Sequence, residues 1–147
     1  MVYLAPMGRL LGLDVGERRT GLASTDELQL ICSPLSTVDT RDVVNELKRL
    51  HRESPVEAFV IGRPNLMVGA ATDSDPCIKH VAESVRKAFP SLPIHFVDEG
   101  FTSQEASAIQ RKGGMKKSKR REKGSLDAIA ASLILQRHLD AQAYNRS

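Results

Sequence analysis

Arg9-Leu-Leu-Gly-Leu-Asp-Val15, followed directly by Gly16, is an apolar run interrupted by a single acid. A short apolar run bounded by glycine is typical of a buried strand, whereas aspartate has a low preference for strand positions. We therefore predict that this run, Arg9–Val15, contains a buried first strand, which ends at Asp14. An acid at this position calls for an explanation beyond the packing of a core.

Two further strands are predicted immediately after the first, over Thr20–Ser24 and Leu28–Leu35. Their connectors, Gly16–Arg19 and Thr25–Glu27, have the length of hairpin turns. The three strands are therefore expected to form an antiparallel meander. Glycines at 12, 16 and 21 would allow another part of the backbone to approach closely.

The rest of the chain alternates between helical and strand periodicity. Val43, Val44, Leu47 and Leu50 recur at helical spacing, and Asp39 and Thr40 offer oxygens for an N-cap. Strands are predicted over Glu57–Gly62 and Ile94–Val97, and further helices over 78–89, over Thr102–Arg111, and from Ser125 or Asp127 to Arg137. This order predicts an α/β fold with a mixed five-stranded sheet and helices on both faces.

The composition fits one ordinary globular domain over residues 1–147. The chain is 41% hydrophobic and 27% charged, and its length is that of a single domain. Its two cysteines are too few for a disulfide scaffold. No apolar run approaches the roughly 20 residues of a membrane span, and the N-terminus lacks the apolar core of a signal peptide. We expect a cytoplasmic protein that does not bind membranes.

The formal net charge of +3 conceals two oppositely charged parts. Residues 111–124 read RKGGMKKSKRREKG, with eight basic residues and one acid, a local charge of +7. The other 133 residues hold 13 basic and 17 acidic residues, a charge of −4. This pattern fits either a solvated flexible loop at about 112–124 or an arm that binds a phosphate backbone.

Acids occupy three positions where a strand ends or a helix begins. Asp14 ends the first strand, Asp98 and Glu99 follow the fifth, and Asp127 lies in the first turn of the last helix. Turn formation and the helix dipole could explain Asp98, Glu99 and Asp127, and neither explains Asp14. Carboxylates gathered at one sheet edge would instead suit Mg²⁺ or Mn²⁺, ions that support phosphodiester hydrolysis.

Four motifs, in order, resemble those of the YqgF/RuvX family of RNase H-like proteins, which are related to Holliday-junction resolvases. The first is Gly12-Leu-Asp-Val-Gly-Glu-Arg-Arg-Thr-Gly-Leu-Ala23, and the second is Val60-Ile-Gly-Arg-Pro64 with Met67 and Gly69. The third is Val97-Asp-Glu-Gly-Phe-Thr-Ser103 with Glu105-Ala106. The fourth is Leu126-Asp-Ala-Ile-Ala-Ala131, preceded by lysines and followed by Ile134-Leu-Gln136. Together they cover almost the whole chain.

The resemblance implies an RNase H-like fold and a metal-dependent nuclease that matures the 5′ end of pre-16S ribosomal RNA. By matched position, the catalytic and metal-binding acids would be Asp14, Glu99 and Asp127, holding one or two Mg²⁺ or Mn²⁺ ions. Asp98 rivals Glu99, since neighbours on a strand face opposite ways; Glu99 is preferred because it lies further past the strand end. The nucleic acid, pre-rRNA or a branched DNA, would contact Arg19, Arg63, Lys116, Lys117, Lys119, Arg120, Arg121 and Lys123.

Three alternatives stay open. A Holliday-junction resolvase would use the same chemistry on DNA and would be a twofold dimer, whereas we expect a monomer or weak homodimer. A non-catalytic RNA-binding ribosome-assembly factor is favoured by Gly100, which replaces the family's arginine. The Leu13-Asp-Val-Gly16 stretch also resembles the phosphate loop of actin-like ATPases, but those proteins close two domains around a nucleotide.

The remaining candidates for chemistry are weaker. The four histidines share no metal-ligand spacing, so they are expected to be surface or hydrogen-bonded residues. Cys32 is expected in the core, and Cys77, at the start of a helix, could be more reactive. With 4% aromatic residues and no tryptophan, the chain has little material for stacking on bases, which favours recognition by shape and backbone charge.

Overall fold

The structure, a computed structural model, describes residues 8–63, 75–98 and 123–146. In chain order the described elements are β1 (Arg9–Val15), β2 (Arg19–Thr25), β3 (Cys32–Asp39), α1 (Val43–Glu53), β4 (Val56–Arg63), α2 (Asp75–Ala88), β5 (Ile94–Asp98) and α3 (Lys123–Arg146). The predicted helix over Thr102–Arg111 lies outside the described residues. No helix in the described ranges is long and apolar enough to cross a membrane.

The predicted mixed sheet is confirmed. Its five strands follow the order β3-β2-β1-β4-β5. β1 pairs antiparallel with β2, and β2 with β3, which gives the predicted meander. β1 and β4, and then β4 and β5, pair in parallel. β1 therefore lies at the centre, and the carboxyl ends of β1, β4 and β5 meet at one edge of the sheet.

Side chains of the sheet pack against helices on both faces, as predicted. On one face Leu11 and Leu13 of β1 share a core with the apolar residues of α1 and α2. On the other, Leu10 packs with Ala131 and Leu135 of α3. Burial on both faces explains why β1 is an almost continuous apolar run rather than an alternating one. The two faces are called below the α1/α2 face and the α3 face.

Several predicted boundaries were wrong, including the starts of β3 and α3. β3 begins at Cys32 rather than Leu28, because the carboxylate of Asp26 accepts hydrogen bonds from the backbone N–H groups of residues 28, 30 and 31. These residues form a loop in which Gln29 has φ 58°. α3 begins at Lys123, ahead of both predicted starts. Residues 123 and 124, the last two of the predicted loop, are therefore helical, and residues 112–122 lie outside the described residues.

The capping prediction for α1 was also wrong. A 3-10 turn, Thr40–Asp42, precedes α1, and no side chain caps either helix. Thr40 instead donates from its hydroxyl to the carbonyl of Gly16 at 2.6 Å and accepts from the hydroxyl of Thr20 at 2.9 Å. These bonds fix the β1–β2 turn, which directly follows Asp14.

Candidate metal and nucleic-acid site

Asp14 points to the α3 face at the carboxyl end of β1. Side chains alternate between the two faces of a strand, and Leu11, Leu13 and Val15 belong to the α1/α2 core whereas Leu10 belongs to the α3 core. Asp14 shares the parity of Leu10. Its side chain is partly exposed while its neighbours in β1 are buried, so an otherwise apolar strand presents one carboxylate at the sheet edge.

A close backbone contact with β2 places Asp127 near the carboxyl end of β1, where Asp14 lies. Gly21 is the register partner of Asp14. A Cβ atom built on Gly21 would lie 2.1 Å from the carbonyl oxygen and 2.3 Å from the carbonyl carbon of Asp127. Only a glycine allows this approach. The first turns of α3 therefore rest on the residue paired with Asp14, and the two predicted acids lie on neighbouring elements of one face.

A second glycine continues this interface along α3. A Cβ atom on Gly12 would lie 2.6 Å from Cγ of Leu135 and 2.9 Å from the carbonyl oxygen of Ala131. Gly12 and Gly21 thus let α3 lie close on β1 and β2, because neither glycine places a side chain of its own between the helix and the strands. The close backbone approach expected of these glycines is confirmed at both positions, and its consequence is to set the height of Asp127 above the sheet.

Strand parity places the side chain of Asp98, the last residue of β5 and the rival of Glu99, on one face of the sheet. His95 and Val97 face α3, because His95 stacks on His138 and Val97 packs on the α3 core. Ile94 and Phe96 pack on the opposite core. Asp98 therefore carries its side chain on the α1/α2 face, away from Asp14. Glu99 lies outside the described residues.

The end of β5 is bound to α3 by Arg137, a residue that the sequence reasoning did not single out. Its Nη1 donates to the carbonyl oxygen of Asp98 at 2.8 Å. This bond joins the strand that leads into the Asp98-Glu99 motif to the helix that carries Asp127. The only signal in the sequence was the helical periodicity, which places Arg137 ten residues, nearly three turns, after Asp127.

The predicted nucleic-acid residues divide between the two faces. Arg19 is exposed at the start of β2 and shares the parity of Gly21, on the α3 face. The guanidinium of Arg63 lies 3.7 Å from the centre of the Phe96 ring, on the α1/α2 face. Lys123 is the first residue of α3. Lys116, Lys117, Lys119, Arg120 and Arg121 lie outside the described residues.

Among the described residues, no group of three or more His, Cys, Asp or Glu side chains could hold a metal ion. Two of the three predicted ligands, Asp14 and Asp127, lie in the described part, and the third, Glu99, does not. The two carboxylate-bearing residues, Asp14 and Asp127, therefore lie on adjoining elements at one face of the sheet edge. Hard oxygen donors of this kind fit Mg²⁺ or Mn²⁺ better than softer metals.

The cysteines are poor candidates for a nucleophile. Burial, reinforced by the negative charges of Asp140 and Asp26, raises the pKa of the Cys32 thiol to about 11. Burial and the nearby Glu17 also raise the pKa of Cys77. Both residues are partly buried and pack against the two cores. Raised pKa values keep both thiols protonated, which removes the reactivity that the position of Cys77 suggested.

The chain matches known proteins over nearly its whole length. The model of the RuvX family, described as a Holliday junction resolvase, matches residues 8–141. A relative from Porphyromonas gingivalis, named "Putative pre-16S rRNA nuclease", is 42% identical over 134 residues, 91% of this chain and 97% of the relative. A relative of the same name from Bacteroides thetaiotaomicron is 38% identical over 138 residues, 94% of this chain and 100% of the relative.

Solved structures agree with the fold. T. thermophilus RuvC in complex with Holliday junction substrate superimposes with a TM-score of 0.56, at 14% sequence identity, over 91% of this chain and 96% of that chain. At this identity the likeness concerns the fold, and it confirms the predicted RNase H-like architecture. With the family model and the curated relatives, it leads to one conclusion: the chain belongs to the RuvX family, a family of nucleases.

Proposed function

We propose that this protein is a single-domain, divalent-metal-dependent endonuclease of the cytoplasm that matures the 5′ end of pre-16S ribosomal RNA. The observation that carries the proposal is the contact at Gly21, which seats Asp127 of α3 on the register partner of Asp14. The names of the curated relatives support the choice of substrate. The fold and the family support the reaction class.

Asp14 and Asp127 would hold the metal, with Glu99 as the third ligand. The parity of β5 supports Glu99, because Asp98, the preceding residue, belongs to the opposite face of the sheet. A divalent ion at this edge supplies activation of a water and stabilisation of the leaving oxygen. The protein's own contribution is to hold the carboxylates at fixed positions on β1 and α3, with hydrogen bonds that fix the turn beside Asp14.

The basic residues would bind the phosphate backbone. The +7 segment leads directly into α3, and Lys123 precedes Asp127 by four residues, about one helical turn. A strand held by this segment would lie beside the carboxylates. Arg19, exposed on the same face, would add positive charge at the start of β2. Such contacts position a substrate without reading its sequence, which fits a chain with few aromatic residues.

A cleavage assay tests the proposal. Purified protein is incubated with Mg²⁺ or Mn²⁺ and a labelled pre-16S 5′ leader, and rates are compared for the wild type, Asp14→Asn, Asp127→Asn and Asp140→Asn. Asp140 is exposed near the far end of α3 and serves as the matched control. We expect the first two variants to lose at least about 100-fold in rate, comparable with the larger losses seen when a metal site is disturbed. Equal rates in all four proteins would contradict the assignment.

A resolvase acting on DNA is the second candidate, and the description of the family model favours it. A four-way DNA junction is therefore tested in parallel, and the mass in solution is measured by light scattering. Cleavage of the junction by a stable dimer, with the RNA left intact, would replace the proposed substrate. Metal-independent binding of RNA without any cleavage would instead indicate an assembly factor that keeps the fold and has lost catalysis.

A further inference from the structure

A groove runs between α2 and β5 on the α1/α2 face, opposite the carboxylates. It has a volume of about 340 Å³. Arg63 and Phe96 form one wall, and an exposed stripe of α2 forms the other. Its lining consists of Arg63, Ile78, Lys79, Ala82, Glu83, Arg86 and Phe96.

The rim of the groove is cationic and its floor is apolar. The lining residues Arg63, Lys79 and Arg86 face one acid of the lining, Glu83, a net charge of +2, and Asp98, the register partner of Arg63, lies beside the groove on the same face. Lys79, Glu83 and Arg86 are exposed and form no ion pair with one another in the described part of the chain. By contrast, Arg49 on α1 is paired with Glu46 and Glu53. Among the described residues, therefore, no carboxylate forms an ion pair with the cations of the groove.

Arg63 is held in place before any ligand arrives. Its guanidinium lies 3.7 Å from the centre of the Phe96 ring, which is itself packed on the α1/α2 core. A cation restrained on an aromatic face loses less side-chain entropy on binding than a free arginine. A guanidinium also offers several N–H donors in a plane that matches phosphate oxygens.

The groove opens at the same sheet edge as the carboxylates. Ile61 of β4 is the register partner of Leu13, so Arg63 lies one residue beyond the level of Asp14 on the adjacent strand. Adjacent strands are about 4.8 Å apart. Arg63 is also the register partner of Asp98. A polyanion that crosses this edge from the α3 face would meet Arg63 first and then the cations of α2.

We propose that this groove binds the phosphate backbone of the RNA strand that continues past the cleaved bond. The inference rests on the proposed function and extends it, because it gives the substrate a path onto the second face of the sheet. An extended anion is required by the shape of the site, since Lys79 and Arg86 lie seven residues apart, about two turns along α2. The apolar floor suits the sugar and base edges of a single strand, and the cations suit its phosphates.

The test compares two variants with the same change in net charge. Lys79→Gln/Arg86→Gln removes the two groove cations of α2, and Lys48→Gln/Arg52→Gln removes two exposed cations of α1. Binding of a single-stranded pre-16S leader is measured by fluorescence anisotropy between low and moderate salt. Each lost phosphate contact lowers the slope of log K against log salt by about 0.7. We expect a decrease of about 1.4 for the groove variant and a negligible decrease for the control.

Substrate length provides a second readout. RNAs that carry the same cleavage junction are compared with a long and with a short extension on each side. The wild type is expected to bind one of the long RNAs more tightly than its short counterpart, and the groove variant is expected to lose that difference. Equal salt slopes for the groove and control variants, or a length preference that survives in the groove variant, would overturn the proposal.

Failure of the groove assignment can be distinguished from failure of the proposed function. If the wild type fails to cleave the leader but its binding still depends on the groove, the catalytic assignment fails and the groove assignment stands. If cleavage depends on Asp14 and binding ignores the groove, only the groove assignment fails. A ten-residue polyglutamate peptide is included as a competing anion. If the groove variant weakens binding of this peptide and leaves RNA binding unchanged, the groove belongs to an acidic protein partner instead.

Discussion

Adding one methyl group at Gly21 is expected to separate catalysis from folding. In Gly21→Ala the new Cβ would lie 2.1 Å from the carbonyl oxygen of Asp127, where real Cβ contacts are not shorter than 3.0 Å. Gly21 is paired on both sides, with Asp14 of β1 and Thr37 of β3. The strand has little freedom to retreat, so the start of α3 must rise by at least about 0.9 Å.

This displacement acts on the distance between the two carboxylates. Asp14 stays with β1, whereas Asp127 moves with α3. A misplacement of about 1 Å at a catalytic centre can cost about 100-fold in rate. Overpacking of a close interface costs about 1–3 kcal/mol in stability. We therefore expect Gly21→Ala to remain folded at 25 °C, to cleave the pre-16S leader about 100-fold more slowly, and to bind Mn²⁺ more weakly.

Gly12→Ala is the matched control. Its Cβ would overlap the same helix, 2.6 Å from Leu135 Cγ, but one to two turns further along α3 from Asp127. Leu135 is fully buried and the backbone carbonyl of Ala131 lies at 2.9 Å, so this variant also carries a packing cost but away from Asp127. Stability is measured by urea denaturation, Mn²⁺ affinity by electron paramagnetic resonance, and rate by gel assay. If both variants lose activity in proportion to stability, or if Gly21→Ala keeps full Mn²⁺ affinity, the contact does not position Asp127 and the reasoning is refuted.

Burial, and after it the neighbouring His95, lowers the pKa of His138. As the pH drops from about 7 to 5, this histidine is protonated in the unfolded chain before it is protonated in the folded protein, so the free energy of unfolding should decrease. Its Nε2 is buried without a hydrogen-bond partner in the described part of the chain, so His138→Phe should flatten this dependence in urea midpoints measured at both pH values. Backbone N–H groups, that of Ile31 foremost, lower the pKa of Asp26, so Asp26→Ala should lower the melting temperature at pH 7. The difference in melting temperature between the two proteins should shrink as the pH falls below about 4, because protonation of the wild-type carboxylate weakens its hydrogen bonds to the backbone. Phe59 is fully buried, 5.0 Å from the Phe89 ring, and Phe59→Ala should cost about 3–5 kcal/mol in urea unfolding; a loss below about 1 kcal/mol would contradict its place in the core.

Where burial determines secondary structure, the sequence predicted the elements closely. β1 was predicted to end one residue early, and β4 was missed by one residue at each end; the errors are small because both strands are apolar on both faces. The same signal, a run of apolar residues, gave a wrong prediction for the start of β3. Leu28, Leu30 and Ile31 look like a buried strand, yet they are 68%, 68% and 67% exposed. The carboxylate of Asp26 accepts hydrogen bonds from the backbone N–H groups of that segment, and the hydrophobic pattern of a sequence does not predict such bonds.

The sequence indicated candidate residues for the site and said much less about their geometry. Asp14 and the close-approach glycines followed from their unusual positions in the sequence. The face on which Arg63 lies did not, because periodicity within one strand does not say which face points to which helix. That choice depends on how β4 pairs with β1 and on where α3 crosses the sheet. Both are properties of contacts between residues far apart in the chain.

The placement of Asp14 and Arg63 on opposite faces has a physical consequence. An arginine within about 4–6 Å of a carboxylate pairs with it and competes with a metal ion for the same oxygens. Arg63 lies one strand from Asp14 and nearly level with it, so on a shared face the two side chains would meet. Opposite parity keeps the carboxylate of Asp14 on the α3 face and the guanidinium of Arg63 against Phe96. The carboxylate of Asp14 and the guanidinium of Arg63 can thus lie a single strand apart at one sheet edge, because the sheet separates these two side chains.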